Sequence, residues 1–211
     1  MKTQLFTALA AIFSIGTLCA GTVADKADGK TPVKETILSP ASHKEWKKLS
    51  FNSKNLLYSS TAITLDNRTV GPIIRYPLTE KNPDLIIIDL LFSAVDKSCT
   101  IAQQQTLITI NMPDGKAALW GFRFGKDNLR FLDDKPVAYP QNTPEKIRAK
   151  IAIDVNGLVA EVYFDGQEKP LLTHKALRLG KPSAAPGVSI GDGSSAVKGV
   201  CELYEMKVKF Y

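Results

Sequence analysis

The chain is poor in the residues that most often build metal centres and acid–base pairs. Its 211 residues include only two histidines and three cysteines. His43 and His174 lie far apart in sequence, and the cysteines are not clustered, so the chain lacks the ligand spacing of a transition-metal site. A nucleophilic cysteine would also need a nearby base, and no recognisable motif supplies one. The composition therefore argues against a transition-metal site and against a catalytic cysteine.

The chain also lacks a strong excess of charge of one sign. It carries 27 basic and 21 acidic residues, spread along its length rather than collected in a stripe. Basic residues do not alternate with aromatic ones as on nucleic-acid-binding surfaces, so no nucleic acid partner is expected. The mild excess predicts a solvated surface and leaves open an attraction to acidic polysaccharide, cell-wall polymer or anionic lipid.

A long uncharged, mostly apolar run occurs near the N-terminus, from Leu5 to Leu18, after the positively charged Lys2. This arrangement is typical of a secretory signal peptide, and the run is short for a membrane span. Thr22, Val23 and Ala24 are small or slender, which favours a signal peptide of residues 1–24, with cleavage after Ala20 as the alternative. We therefore expect a secreted or periplasmic protein with no membrane span in the mature chain.

Cleavage leaves two cysteines, Cys99 and Cys201, about a hundred residues apart. Two thiols in an oxidising compartment usually pair, so we predict a Cys99–Cys201 disulfide. Closing so long a loop could add roughly 3–5 kcal/mol to the free energy of unfolding.

The mature chain divides into a short N-terminal segment and one domain. Residues 25–48 are predicted to be a polar spacer, disordered from Asp25 to Val33, with a short helical turn where Ser42 and Glu45 have capping-box spacing. Residues 49–211 contain no linker, repeat or low-complexity tract, and their length suffices for a substantial core.

One β-hairpin can be derived residue by residue. Asn156-Gly157 is the preferred dipeptide of a two-residue type I′ turn, which requires positive φ at both positions. If these residues form the turn, one face of the hairpin is entirely apolar and the other mostly polar. The predicted apolar pairs are Val155 with Leu158, Ile153 with Ala160, Ile151 with Val162 and Ala149 with Phe164. The polar face pairs Arg148 with Asp165, Lys150 with Tyr163, Ala152 with Glu161 and Asp154 with Val159.

Strand patterns recur through the rest of the domain, and almost no helical periodicity is present. The predicted strands are 73–78, 85–92, 106–111, 117–124, 129–132, 187–191 and 200–210. The run at 85–92 is apolar except for Asp89, which predicts a central strand covered on both faces. Many strands at short spacing predict an all-β, two-sheet antiparallel sandwich.

Three segments resemble the concanavalin A-like lectin/glucanase superfamily, the jelly-roll group that includes laminin G-like domains. They are GPIIRYPL with DLIIIDLLFSA, the hairpin KIRAKIAIDVNGLVAEVYFDGQ, and the closing pair GVSIGDGSSAVKGVCELYEMKV. The resemblance covers roughly residues 50–211 and implies a jelly roll with a ligand cleft on the concave sheet. It carries little information about function.

The catalytic motifs of that superfamily are not present. Its glucanases carry E-x-D-x-E on one strand, whereas Glu202 and Glu205 lie three apart and would face opposite ways unless a bulge intervenes. The histidine-bearing motif of its alginate lyases is missing as well. No catalytic residue can therefore be named from the resemblance.

The resemblance implies ligand-binding candidates on the concave sheet, namely Arg75, Tyr76, Trp120, Arg123 and Tyr139. For Trp120, which shares a face with Phe122 and Phe124, a place in the core is the stronger interpretation. No cofactor is expected; Asp192 could join a Ca²⁺ site like those of some superfamily members, although an ordinary turn aspartate explains it as well.

The sequence thus favours an exported domain that binds polysaccharide or another extracellular glycan without cleaving it. A glycoside hydrolase or polysaccharide lyase with its site on the concave sheet is the first alternative. For a lyase, Arg75, Arg123 and Tyr139 would have to converge. The second alternative is a structural or protein-interaction domain of the cell envelope.

Overall fold

A computed structural model describes residues 21–48, 55–66, 74–78, 83–94, 106–111, 118–125, 127–131, 135–142, 144–175, 187–191 and 200–211. At 47, 48, 94, 106–111, 118–120 and 123 it describes the backbone alone. The described residues form one 3₁₀ helix, Ala24–Ala27, and fifteen strands. The strands are β1 Lys34–Leu38, β2 Lys47–Lys48, β3 Leu56–Tyr58, β4 Ile63–Asp66, β5 Ile74–Pro77, β6 Leu85–Ala94, β7 Thr106–Asn111, β8 Ala118–Phe124, β9 Asn128–Phe131, β10 Val137–Ala138, β11 Lys146–Asp154, β12 Val159–Phe164, β13 Leu172–Lys175, β14 Gly187–Ile190 and β15 Val200–Phe210.

The strands form two antiparallel sheets. The eight-stranded sheet has the order β13-β12-β11-β6-β15-β4-β3, and β1 also pairs with β15. The seven-stranded sheet has the order β10-β9-β8-β7-β14-β5-β2. Inward-facing side chains of both sheets share one hydrophobic core, where Phe92 and Phe124 meet edge to face at 5.1 Å between ring centroids. The all-β sandwich predicted from the sequence is confirmed.

The register of the hairpin β11–β12 is the predicted one. Ala149 pairs with Phe164, and the pairing continues in step to Asp154 and Val159. The predicted turn type is wrong, because neither Asn156 nor Gly157 has positive φ; Leu158 does, at 54°. The physical reason is the side chain of Asp154, whose Oδ1 accepts a 2.8 Å hydrogen bond from the amide of Gly157 and closes a four-residue loop.

The predicted spacer is part of the sandwich. Residues 34–38 form β1 along β15, and the amide of Val33 donates to the carbonyl of Phe210 at 2.8 Å. The polar sequence KET gives β1 little apolar signal, yet Leu38 is fully buried. The predictions that residues 25–33 are disordered and that the domain starts at residue 49 are therefore wrong.

The predicted helical turn at 42–45 is also corrected. Residues 43–46 form a turn in which the amide of Trp46 donates to the carbonyl of His43 at 3.0 Å. Glu45 does not close a capping box; its carboxylate accepts from the hydroxyl of Thr36 in the neighbouring β1 at 3.2 Å. The carboxylate of Glu45, which the local sequence pattern assigned to a helix cap, therefore makes a tertiary contact instead.

Candidate functional site

The outer face of the eight-stranded sheet carries charged side chains in ordered rows. In one row Lys150 of β11 lies opposite Asp89 of β6, and Lys207 of β15 lies on the other side of Asp89. The next row places Glu205 opposite Leu91 and Leu91 opposite Arg148. Side chains opposite each other on antiparallel strands lie about 5 Å apart. The face is therefore a closely spaced array of hydrogen-bond donors and acceptors.

Ion pairs orient part of this array. The ammonium of Lys209 lies 3.5 Å from Oδ2 of Asp89, and that of Lys207 lies 3.8 Å from Oε1 of Glu35 in β1. All four side chains are about one third exposed. Such pairs add little to stability because water screens them. The ion pairs instead fix where these flexible side chains lie over the sheet.

The rows form the floor of an open groove of about 720 Å³. The N-terminal turn contributes Thr22, Ala24 and Asp25 to the wall of the groove, and the loop that follows β12 contributes another part of the wall. That loop turns sharply, with φ of 41° at Asp165 and 76° at Gly166. The charged lining residues comprise four basic side chains (Arg148, Lys150, Lys207, Lys209) and six acidic ones (Asp25, Asp28, Asp89, Asp165, Glu168, Glu205). The groove is polar and, by this count, acidic.

The N-terminal turn is anchored on the outer face beside the groove. Val23 is buried and packs in a small apolar cluster with Leu85, Ile87, Ala152 and Tyr163. The N-terminal turn therefore covers about half of the hairpin face that the sequence predicted to be polar and exposed to solvent. The covering segment explains why β6 is buried on both faces at its N-terminal end.

Polar contacts complete this anchor. Glu161 accepts hydrogen bonds on Oε2 from the amide of Val23 at 2.7 Å and from the hydroxyl of Tyr163. Burial raises the pKa of Tyr163, and the carboxylate of Glu161 raises it further, to about 12. The hydroxyl therefore remains a hydrogen-bond donor throughout the neutral pH range.

A β-bulge in β15 changes which face its acidic residues occupy. Register against β6 shifts between Leu203 and Glu205, so that Glu202 lies opposite Ser93 and Glu205 opposite Leu91. Residues 91 and 93 share a face of β6, and Glu202 and Glu205 therefore share the outer face of the sheet. This places two carboxylates on the same side of one strand.

Tyr204, the bulged residue, links Glu202 to its neighbours. Its hydroxyl donates to Oε2 of Glu202 at 2.9 Å and lies 3.2 Å from the hydroxyl of Ser93. The ammonium of Lys146 lies 4.2 Å from the centre of the Tyr204 ring. Burial raises the pKa of Tyr204. The phenol is thus a protonated donor that orients the Glu202 carboxylate.

Two of the sequence-predicted ligand contacts lie elsewhere. Tyr76 is 4% exposed and packs inside the core between Trp46 and Phe210, with ring centroids 5.5 and 6.2 Å away. A ligand on the outer surface cannot reach its ring, because residue 76 has the inward phase of β5. Arg75 has the outward phase, and its Nε donates to the buried hydroxyl of Ser189 at 3.1 Å.

Tyr139 is engaged by the fold. Its hydroxyl donates to the carbonyl of Gly125 at 2.8 Å, and its ring packs 4.9 Å from that of Phe164. Burial raises the pKa of Tyr139 well above its usual value, which disfavours the phenolate that a catalytic base would need.

The three residues required for a lyase also lie on separated strands. In the seven-stranded sheet, β7 and β14 lie between β5, which carries Arg75, and β8, which carries Arg123. Three strand spacings separate these backbones by about 14 Å, and Tyr139, which follows β10 at the edge of the sheet, lies farther still from β5. The described backbones of Arg75 and Arg123 are therefore not on adjacent strands.

Some residues to which the sequence assigned a role are described by the structure only in part or not at all. Trp120 and Arg123 belong to β8, where only the backbone is described at both positions. Cys99 and Asp192 lie outside the described residues. Cys201 is fully buried in the core. The Cys99–Cys201 disulfide and the calcium site therefore stay predictions.

Sequence reasoning missed the groove. The pairing of Lys150 with Tyr163 on the polar face of the hairpin is a signal of the groove in the sequence, but such a pair is also typical of an ordinary solvent-facing strand. The walls come from segments distant in sequence, one of them assigned to the signal peptide and spacer. In the part of the chain described, no group of three or more histidine, cysteine or acidic residues is arranged to hold a metal ion. That part also contains no helix long and apolar enough to cross a membrane.

Neither a protein-family profile nor a curated protein sequence matches the chain. Solved structures do. A carbohydrate esterase of the Shiga toxin-encoding bacteriophage phi24B superposes with a TM-score of 0.59 at 12% identity, over 85% of this chain and 98% of that one. The sialidase of Trypanosoma rangeli in complex with sialic acid superposes with a TM-score of 0.54 at 13% identity. That match covers 82% of this chain and 30% of the sialidase. The exoplasmic/lumenal domain of VIP36, in its Ca²⁺/Man3GlcNAc-bound form, superposes with a TM-score of 0.48 at 11% identity. That match covers 83% of this chain and 88% of the VIP36 domain.

At such identities the comparisons show the fold alone. Both structures with TM-scores above 0.5 share the arrangement of strands seen here, which confirms the two-sheet antiparallel β-sandwich.

Proposed function

We propose that this chain, a concanavalin A-like sandwich, is an exported domain that binds a glycan without cleaving it, in the groove on the outer face of its eight-stranded sheet. The observation that carries the proposal is the groove itself, about 720 Å³ in volume and floored by rows of charged side chains. Export rests on the signal-like N-terminal sequence.

The chemistry of the floor suits sugars. Each sugar hydroxyl both donates and accepts hydrogen bonds, so a complementary surface needs both functions at close spacing. The ammonium of Lys150 only donates, and the carboxylate of Asp89 opposite it only accepts. A carbohydrate esterase and a sialidase share the fold, which supports the proposal without identifying a ligand.

The charge of the groove favours a neutral glycan over an acidic one. Six acidic and four basic side chains line it, so a uronate or sulfate polymer would meet net repulsion despite the positive charge of the whole chain. The expected ligand is therefore a neutral polysaccharide or oligosaccharide.

A glycoside hydrolase is the second candidate, because the bulge at Tyr204 brings Glu202 and Glu205 to one face. Glycosidases use two carboxyl groups that flank the scissile bond. Glu202 is already oriented by a hydrogen bond from Tyr204, and Glu205 lines the groove.

Affinity electrophoresis in gels containing neutral or acidic polysaccharides tests binding. Retardation by a neutral polymer is expected for the mature protein, with at least about tenfold weaker binding for Lys150→Ala and for Asp89→Ala. Lys175→Ala is the matched control, since Lys175 is exposed on β13 and does not line the groove. Equal retardation of all four proteins would remove the groove as the site, and no retardation by any polymer would overturn the proposal.

Chromatography of the same polymers after incubation separates binder from enzyme. No new oligosaccharides are expected. If products form and Glu202→Gln and Glu205→Gln each abolish them, the hydrolase is correct and the non-catalytic proposal is wrong.

A further inference from the structure

We infer that the precursor is cut after Ala20 rather than after Ala24, so that Thr22, Val23 and Ala24 remain on the mature chain as part of the fold. This inference rests on the export in the proposed function. It differs from the sequence preference, which placed the cut after Ala24 on side-chain size alone.

The first argument is the burial of Val23. Its side chain is 6% exposed and packs against Ile87 of β6 and Tyr163 of β12. A cut after Ala24 would remove Val23 and open an apolar patch on the outer face of the sheet. Burial of apolar area is the dominant favourable term in folding, so the retained residue stabilises the sandwich.

The second argument is the hydrogen bonding of Glu161. This side chain, 9% exposed, accepts from the amide of Val23 at 2.7 Å. A cut after Ala24 would delete that donor and leave the carboxylate with fewer partners in an apolar setting. The hydroxyl of Tyr163 would remain as a donor to the carboxylate, so the cut would remove one of the two charge-assisted hydrogen bonds that hold this anchor.

The third argument is a reciprocal pair that starts the 3₁₀ helix. The amide of Thr22 donates to Oδ2 of Asp25 at 2.7 Å, and the amide of Asp25 donates to the hydroxyl of Thr22 at 3.3 Å. The amide of Lys26 then donates to the carbonyl of Val23 at 3.2 Å. A chain beginning at Asp25 has lost all three bonds. Ala20 provides the small residue directly before the cut, whereas Leu18 occupies the third position before it, where the A-x-A pattern has a small residue. The contacts of residues 22–24 in the folded protein, rather than the local sequence, therefore favour this cut.

The test is to express the full precursor, residues 1–211, in a secreting bacterial host and to determine the first residue of the exported protein by intact mass and N-terminal sequencing. Gly21 is the expected N-terminus. An N-terminus at Asp25 would overturn the inference while leaving export intact. A chain that stays in the cytoplasm with Met1 would overturn the inference together with the export part of the proposed function, and glycan binding would still be measurable separately.

A second measurement asks whether the retained residues matter to the fold. Proteins starting at Gly21 and at Asp25 are released from a cleavable tag and compared by thermal unfolding. The Gly21 protein is expected to melt several degrees higher and to bind less of a dye that reports exposed apolar surface. Identical melting and dye binding would show that Thr22–Ala24 contribute nothing, which contradicts the structural reason for the inference.

Discussion

The backbone amide of Val23 donates a 2.7 Å hydrogen bond to Oε2 of Glu161, a residue 138 positions later in the chain. This bond ties the N-terminal turn to the outer face of β12. It therefore holds one wall of the groove against the sheet that forms the floor.

Val23→Ala is expected to lower the free energy of unfolding by about 1–2 kcal/mol, because it removes two buried methyl groups while keeping the amide of residue 23. Urea denaturation of the protein starting at Gly21 measures the change. Val33→Ala is the matched control, since Val33 is 81% exposed and its truncation should change stability by less than about 0.5 kcal/mol. Equal effects of the two substitutions would show that the turn is not docked in solution.

The contribution of Asp154 in the hairpin loop to the free energy of unfolding is expected to depend on pH in the acid range. Burial alone would raise the pKa of its carboxyl, but hydrogen bonds from Lys26 and from the amide of Gly157 outweigh burial and hold it below the usual value. The carboxylate form is thus favoured by folding, and its stabilisation is present above about pH 4, the pKa of an unfolded aspartate, and lost as pH falls through the lower folded value.

Asp154→Asn should therefore destabilise the protein by roughly 1 kcal/mol near pH 7, and the difference from the unmodified protein should shrink below about pH 4. Urea denaturation at a series of pH values measures this difference. Lys26→Ala should have a smaller effect, because the Lys26 side chain is 53% exposed. A difference that stays constant between pH 7 and pH 3 would contradict the assignment.

Tyr139→Phe separates a structural role from the ligand-binding role that the sequence suggested. The substitution leaves the carbonyl of Gly125 without its donor while keeping the ring on Phe164. A loss of about 1–2 kcal/mol in unfolding free energy is expected, with unchanged retardation in polysaccharide gels. Weakened retardation at full stability would return Tyr139 to the binding site.

Strand pairing and register were predicted most reliably from the sequence where one face of a strand is buried. The alternation in β11 and β12 fixed their register, since a slip of one residue would turn every apolar side chain to the wrong face. For Tyr76 the resemblance suggested a ligand contact, and β5 is too short for alternation alone to show that residue 76 faces the core. β1 was missed because its polar residues Lys34 and Glu35 hide a strand whose stability comes from pairing with β15.

The candidate site was harder to predict for a physical reason. Its floor combines β6, β11 and β15, and its walls come from residues 22–28 and 165–168, which only the tertiary fold brings together. Glu202 and Glu205 show the limit most directly. Their spacing of three predicts opposite faces in a regular strand, and the bulge at Tyr204 reverses that outcome.

Gly157→Ala tests the loop that replaced the predicted type I′ turn. A Cβ at residue 157 would lie 2.2 Å from Oδ2 of Asp154, whose carboxylate is held by the amide of the same residue. The expected loss is about 1–3 kcal/mol in unfolding free energy, because the carboxylate cannot move away without breaking its hydrogen bonds.

A double-mutant cycle isolates this contact. In an Asp154→Ala background the obstructing carboxylate is gone, so Gly157→Ala should cost less than about 0.5 kcal/mol there. Gly166→Ala is the comparison for backbone strain alone, since Gly166 has φ of 76° and open space where its Cβ would lie. It should cost roughly 1 kcal/mol in either background. If Gly157→Ala costs the same with and without the Asp154 carboxylate, the contact does not set the loop conformation, and the turn must be explained by backbone preference.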